Sequence, residues 1–84
     1  MSIEDEVQAA AETGSIIIGT EETLKHIDTV DKVVIAANAP ADIREEVAAA
    51  AESADVAVAE ADVDNHDLGS LCMEPFSASV VGIK

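Results

Sequence analysis

The residues best placed to do chemistry lie in one stretch, Gly19-Thr20-Glu21-Glu22-Thr23-Leu24-Lys25. It follows the apolar run Ile16-Ile17-Ile18. A β-branched run, then Gly, then a hydroxyl and acids, reads as a strand feeding the start of a helix. Thr20 is the expected N-cap, and Glu21 and Glu22 stand where the helix dipole favours negative charge. Lys25 follows one turn later and shares their face. Gly19 lets a ligand approach the backbone closely. Such a corner offers carboxylate acceptors, one ammonium and bare backbone amides, which suits binding rather than bond-making. By itself the same trio also reads as acids and a base that satisfy the dipole and one another.

The other reactive residue types assemble nothing comparable. His26 and His66 have no neighbours that suggest a catalytic triad, and each reads as a solvated or core-edge histidine. Asp62, Asp64, His66 and Asp67 share a polar loop. A calcium loop starting at Asp62 needs Gly and Glu where the chain has Asp67 and Met73. No phosphate-loop or paired-cysteine motif occurs, and Cys72 is the single cysteine. We expect no catalytic residue, no metal and no cofactor. Asp67-Leu68-Gly69-Ser70-Leu71 loosely echoes the attachment site of acyl carriers, but those are helical bundles, and the Val/Ile runs here argue for a sheet.

Charge limits the partners. The 84 residues hold 18 acids and 4 bases, a net charge of −14. The acids divide evenly between the two halves, so this is an acidic surface and not an acidic tail. In dilute salt it repels nucleic acid and anionic membranes. Lys25, Lys32, Arg44 and Lys84 are too few for a basic patch. Abundant acids, scarce Lys, and Ala and Val in place of bulkier apolar residues match proteins that work in an extreme halophile. In about 1 M salt the Debye length is only ~3 Å, and the repulsion largely vanishes. No apolar run reaches membrane-spanning length. The acidic start Met1-Ser2-Ile3-Glu4-Asp5-Glu6 argues against a targeting peptide, so cytoplasm is expected.

The elements that must position the corner follow from periodicity. Residues 2–13 read as a helix capped by Ser2 and closed by Gly14, with Ile3, Val7, Ala10 and Ala11 inward. Residues 15–18 form a strand and 20–28 a second helix with Leu24 and Ile27 inward. Val33-Val34-Ile35 is a continuous apolar run, suited to a strand buried on both faces. Asn38-Ala39-Pro40-Ala41 turns into a third helix, with Ile43, Val47, Ala50, Ala51 and Ala54 inward and Arg44, Glu45, Glu46 and Glu52 facing water. Residues 56–59 form a strand, 67–72 a short helix, and 77–83 the last strand. With a single aromatic, Phe76, the core must be aliphatic, and Phe76 is either in it or facing a ligand. The order α-β-α-β-α-β-α-β without a linker implies one domain over residues 1–84, a three-layer α/β/α sandwich around a central four-stranded sheet.

Four segments in order carry a resemblance. They are Thr13-Gly14-Ser15-Ile16-Ile17-Ile18-Gly19-Thr20, Val33-Val34-Ile35-Ala36-Ala37-Asn38-Ala39, Asp42-Ile43-Arg44-Glu45-Glu46, and Asp67-Leu68-Gly69-Ser70-Leu71 followed by Pro75 and Ser79. With them the chain resembles the kink-turn RNA-binding ribosomal protein family of archaea and eukaryotes, in its large-subunit "thirty-e" branch. A related branch, "seven-A-e", shows Gly-x-Asn-Glu-x-x-Lys after the first strand, and Gly19, Glu22 and Lys25 are in register with it. The resemblance implies the same sandwich fold, a noncatalytic role, and ribosomal RNA and neighbouring ribosomal proteins as partners. It implies an RNA site at Gly19, Thr20, Glu21, Glu22 and Lys25. Asn38 and Ala39 line the same edge, and Glu74, Pro75 and Phe76 cover an extruded base or the kinked backbone. Glu22 would accept from a guanine edge in a sheared G·A pair. The chain departs from the family where Glu21, Ala37, Pro40 and Glu74 replace expected bases, and each lost phosphate contact weakens binding. A domain of this fold that binds protein instead of RNA is the alternative that these replacements favour.

Overall fold

In a computed structural model, residues 2–84 form four helices on a four-stranded sheet. Helix α1 spans Ile3–Thr13; Ser2 Oγ accepts from the Asp5 N–H (3.2 Å), and Gly14 ends the helix in the left-handed region at φ 74°. Strand β1 is Ile16–Ile18, helix α2 Thr20–Lys25, and β2 Lys32–Ile35. Helix α3 is Ala41–Ala54, β3 Ala57–Glu60, α4 Asn65–Leu71 and β4 Val80–Ile83.

The second helix is shorter than periodicity suggests. After Lys25 the chain tightens into a 3₁₀ turn, Ile27–Thr29. There the Thr29 hydroxyl and N–H both donate to the His26 carbonyl, at 2.8 and 2.9 Å. The turn brings Val30 into the core and starts β2 on time. Helix α4 begins two residues early because Asp64 caps it, accepting from the Asp67 N–H at 2.9 Å. Strand β4 begins at Val80, three residues later than expected, because the Ala78 N–H is drawn to the Asn65 carbonyl (2.9 Å).

The sheet order is β1-β4-β2-β3. Strands β2 and β3 are parallel, joined by the α3 crossover, and β4 is antiparallel to both β1 and β2. The alternation of period two sends Val34, Val81, Ile16 and Ile18 toward α1 and α4, where Val7, Leu68 and Cys72 are buried. It sends Val33, Ile35, Val80 and Ile17 toward α2 and α3, against Leu24, Ile43 and Val47. These are the two covered faces of an α/β/α sandwich, and the mixed four-stranded sheet rules out the helical bundle of an acyl carrier.

The strand order decides where function can lie. With β4 reversed between β1 and β2, the segments after β1, β2 and β3 and the segment before β4 all emerge at one edge.

Candidate RNA-binding edge

Two backbone bonds assemble that edge. The Gly19 N–H donates to the Val80 carbonyl and the Ala36 N–H to the Ser79 carbonyl, at 2.9 and 2.8 Å. Consecutive carbonyls at the head of β4 thus hold the α2 corner on one side and the turn after β2 on the other. The segment leading into β4 carries Glu74, Pro75 and Phe76, and it is tied to α4, where the Ala78 N–H donates to the Asn65 carbonyl at 2.9 Å.

At the corner, Gly19 and not Thr20 occupies the cap position of α2. Gly19 has φ 106° and ψ 151°, a conformation essentially reserved for glycine, and no side chain caps the helix. Thr20 is the first helical residue and half-buried; Glu21, Glu22 and Lys25 are exposed. The mutual pairing of these charges is not formed. Glu22 leans toward His26 at 4.0 Å, and among the described residues no acid lies within salt-bridge distance of Lys25. Lys32 is held by Glu6 (3.0 Å) and Arg44 by Glu60 (2.8 Å), which leaves Lys25 as the cation presented at this edge.

The turn after β2 is built from the inside. Arg44 does not face open water as the α3 stripe suggests; it is half-buried and folds back over the turn. Its Nε donates to the Ala39 carbonyl (3.0 Å), and its Nη2 reaches the Ala36 and Ala37 carbonyls (3.1 and 2.7 Å) as well as Glu60. The Ala39 side chain is buried, so this residue brings only backbone to the edge. Asn38 is exposed, yet its amide is engaged: Oδ1 accepts from the Asn65 N–H (2.8 Å) and Nδ2 donates to Asn65 Oδ1 (2.9 Å).

The loop after α4 lies directly on that helix. A Cβ on Gly69 would fall on the Phe76 carbonyl oxygen, so only glycine permits this seat. Met73 supports the reversal at φ 62°, and the Glu74 N–H donates to the Gly69 carbonyl (3.1 Å). Phe76 is 56% exposed, so the single aromatic is outside the core. Glu74 is half-buried and Pro75 exposed. A cavity of about 160 Å³ opens between α4 and this loop, lined by His66, Ser70, Glu74, Pro75, Phe76 and Ser77. Cys72 beneath it is buried; burial first, and the Glu74 charge second, push its thiol up to about 11. Among the described residues no three potential metal ligands converge, and no helix is long and apolar enough to cross a membrane.

Sequence reasoning did not single out Asn65 or Gly69 as builders of this edge and misread Arg44. A glycine inside a helical pattern was the available sign for Gly69. For Arg44 it was a lone base four residues after Pro40, within reach of the carbonyls at the start of α3.

The edge presents exposed carboxylates and one cation on the short helix α2 and an exposed aromatic on the loop after α4, over a small α/β/α sandwich. A profile of the Ribosomal protein L7Ae/L30e/S12e/Gadd45 family matches residues 1–84, and the chain belongs to that family. It is 39% identical over 83 residues to the large ribosomal subunit protein eL30 of Methanopyrus kandleri, covering 96% of this chain and 76% of that one. It is 31% identical to eL30 of Sulfolobus acidocaldarius, covering 98% and 81%. Among solved structures it is similar to the 15.5kD RNA binding protein of Giardia lamblia, with a TM-score of 0.82, 26% identity, and 96% and 69% of the two chains covered. As a homologue of ribosomal proteins the chain is noncatalytic.

Proposed function

We propose that this protein is a ribosomal component of the large-subunit eL30 type that grips kinked RNA at the shared edge and works in concentrated salt. The observation that carries the reading is the convergence of the Gly19–Lys25 corner and the 36–39 turn on the head of β4, with the Phe76 loop tied to that turn through Asn65 of α4. Names of the relatives agree, since two are large-subunit proteins and the Giardia protein is described as RNA binding. The partners are then ribosomal RNA and neighbouring ribosomal proteins, and the place of work is the ribosome in the cytoplasm.

Each exposed group has a role that fits its chemistry. The Glu22 carboxylate accepts from the N–H donors of a guanine edge, as in a sheared G·A pair. Lys25 meets a phosphate. The Phe76 face stacks on an unpaired base, a contact worth about 1–3 kcal/mol per base in single-stranded recognition. Glu21 and Glu74 repel phosphate in dilute buffer, so shape and base contacts carry the complex when salt screens them.

The test is titration onto a kink-turn RNA and a straight duplex of equal length in ~0.2 M and ~3 M KCl, because salt separates phosphate attraction from base and shape readout. Preference for the kinked RNA, kept or raised at high salt, is the expected result. A folded protein with no preference at either salt refutes the RNA reading and leaves a protein-binding domain. The salt adaptation has its own check: the domain should melt later in molar KCl than in dilute buffer.

A further inference from the structure

The structure assigns Arg44, Asn38 and Asn65 to positioning: together they set the RNA-facing edge without themselves touching RNA, an inference that rests on the RNA-binding reading. In a chain with four bases, an arginine at this edge invites assignment as a phosphate contact. Its bonds say otherwise. The guanidinium is committed to the carbonyls of Ala36, Ala37 and Ala39 and to Glu60 of β3. Those carbonyls crowd one tight turn, where the Ala39 N–H also donates to the Ala36 carbonyl at 3.1 Å. A planar fork of five donors answers several acceptors at once; a lysine ammonium offers a compact point charge. Glu60 balances the charge, so Arg44 adds little to the attraction of phosphate.

Asn38 extends the clamp. By accepting from the Asn65 N–H it satisfies a first-turn donor of α4 that the helix leaves unpaired. Its amide donates back to Asn65 Oδ1, which fixes the turn and the helix in one relative position. The Asn65 carbonyl then holds the Ala78 N–H, and Gly69 one turn later seats Phe76. A continuous path therefore runs from Glu60 through Arg44, the 36–39 turn, Asn38 and Asn65 to the Phe76 loop. Its ends are on β3 and on the loop, and the α2 corner is tied to the same β4 head. The clamp thus governs the distance between Glu22 and Phe76, which is what a protein must hold constant to select a kinked backbone.

The experiment is salt-dependent RNA titration of variants of the 84-residue chain, with amide resonances followed by NMR. Lys25→Ala should lower the slope of log affinity against log salt by about one, as loss of a phosphate contact does. Arg44→Lys, Arg44→Gln and Asn38→Ala should each cut affinity for kinked RNA about tenfold or more with that slope unchanged, the scale of a lost hydrogen bond to a charged group or a misplaced contact. Asn38→Ala with Asn65→Ala should lose no more than Asn38→Ala alone, because Asn65→Ala removes only one of the two bonds that Asn38 makes. Wild-type affinity in Arg44→Lys, or a slope lowered by about one in Arg44→Gln, overturns the positioning role. If the wild-type protein itself ignores kinked RNA, the RNA reading fails first, and the clamp is judged on the free protein. There Asn38→Ala must shift the Phe76 and Ser77 amide resonances while the dispersion of a folded domain persists; unmoved resonances overturn it.

Discussion

Gly69→Ala puts the assembly of the edge to a direct test. In an ordinary helix this change gains about 1 kcal/mol, since Ala is the better helix former. Here Gly69 is buried inside α4, under the loop that carries Phe76. The added Cβ would overlap the Phe76 carbonyl oxygen and stand 3.1 Å from its carbonyl carbon and 3.3 Å from Ser77 Cα. These are backbone atoms, so no rotamer change relieves the contact. Overpacking of this kind costs roughly 1–3 kcal/mol, and the helix-propensity gain offsets only part of it. A net loss of up to about 2 kcal/mol corresponds to a fall of up to roughly 15 °C in melting temperature for a domain this small. The loop should lift off the helix, and RNA affinity should fall with it. Chemical denaturation and titration onto kinked RNA measure the two effects. Gly82→Ala is the control for the loop, because its Cβ would meet side-chain methyls, Val30 Cγ1 at 3.0 Å and Thr23 Cγ2 at 3.2 Å, and not the Phe76 loop. It should lower stability without changing the preference for kinked RNA. A Gly69→Ala protein that is more stable than wild type and binds RNA equally would refute the reasoning.

Glu22→Ala and Lys25→Ala should each weaken binding to kinked RNA while the thermal melt stays near wild type, because both side chains are exposed; unchanged affinity in both removes this corner from the site. Thr23 is fully buried and its Oγ1 has no hydrogen-bond partner among the described residues, so Thr23→Val should stabilise the domain by about 1 kcal/mol in urea denaturation. A destabilised variant would show that the hydroxyl is satisfied in solution. For pH, the Cys72 thiol is raised from 9.0 to about 11 by burial, so the unfolded chain ionises first. The stability associated with the neutral thiol is present below pH 9 and lost as pH rises toward 11. Comparing denaturation of wild type and Cys72→Val across that window isolates the thiol from the lysines, and equal slopes would sink the prediction.

The architecture was legible because local chemistry announces it. Ser2 and Gly14 bracket α1 as read, and the apolar run Val33-Val34-Ile35 is buried as the pattern required. The Glu22–Lys25 corner was visible because a β-branched run ending in Gly before acids is a short-range signal. Boundaries slipped where bonds outside the helix and strand patterns intervene: the Asn65 carbonyl delays β4, and a local 3₁₀ bond to the His26 carbonyl ends α2. The helix-stripe rule sent Arg44 to water because it compares a residue with its own helix, whereas its partners lie on the turn before α3 and on β3.

From the sequence alone came the aliphatic α/β sandwich, its element order, its abundance of acids and the Gly19–Lys25 corner, all of which depend on composition and on spacings within a few positions. Only the tertiary structure decided that β4 lies reversed between β1 and β2, which brings three separated loops to one edge. Only it turned Phe76 outward, buried Thr23 and committed Arg44 and Asn38 to holding the edge. Strand order and side-chain partners are settled by pairing and packing between residues far apart in the chain, and periodicity carries no record of which distant residue will be the neighbour.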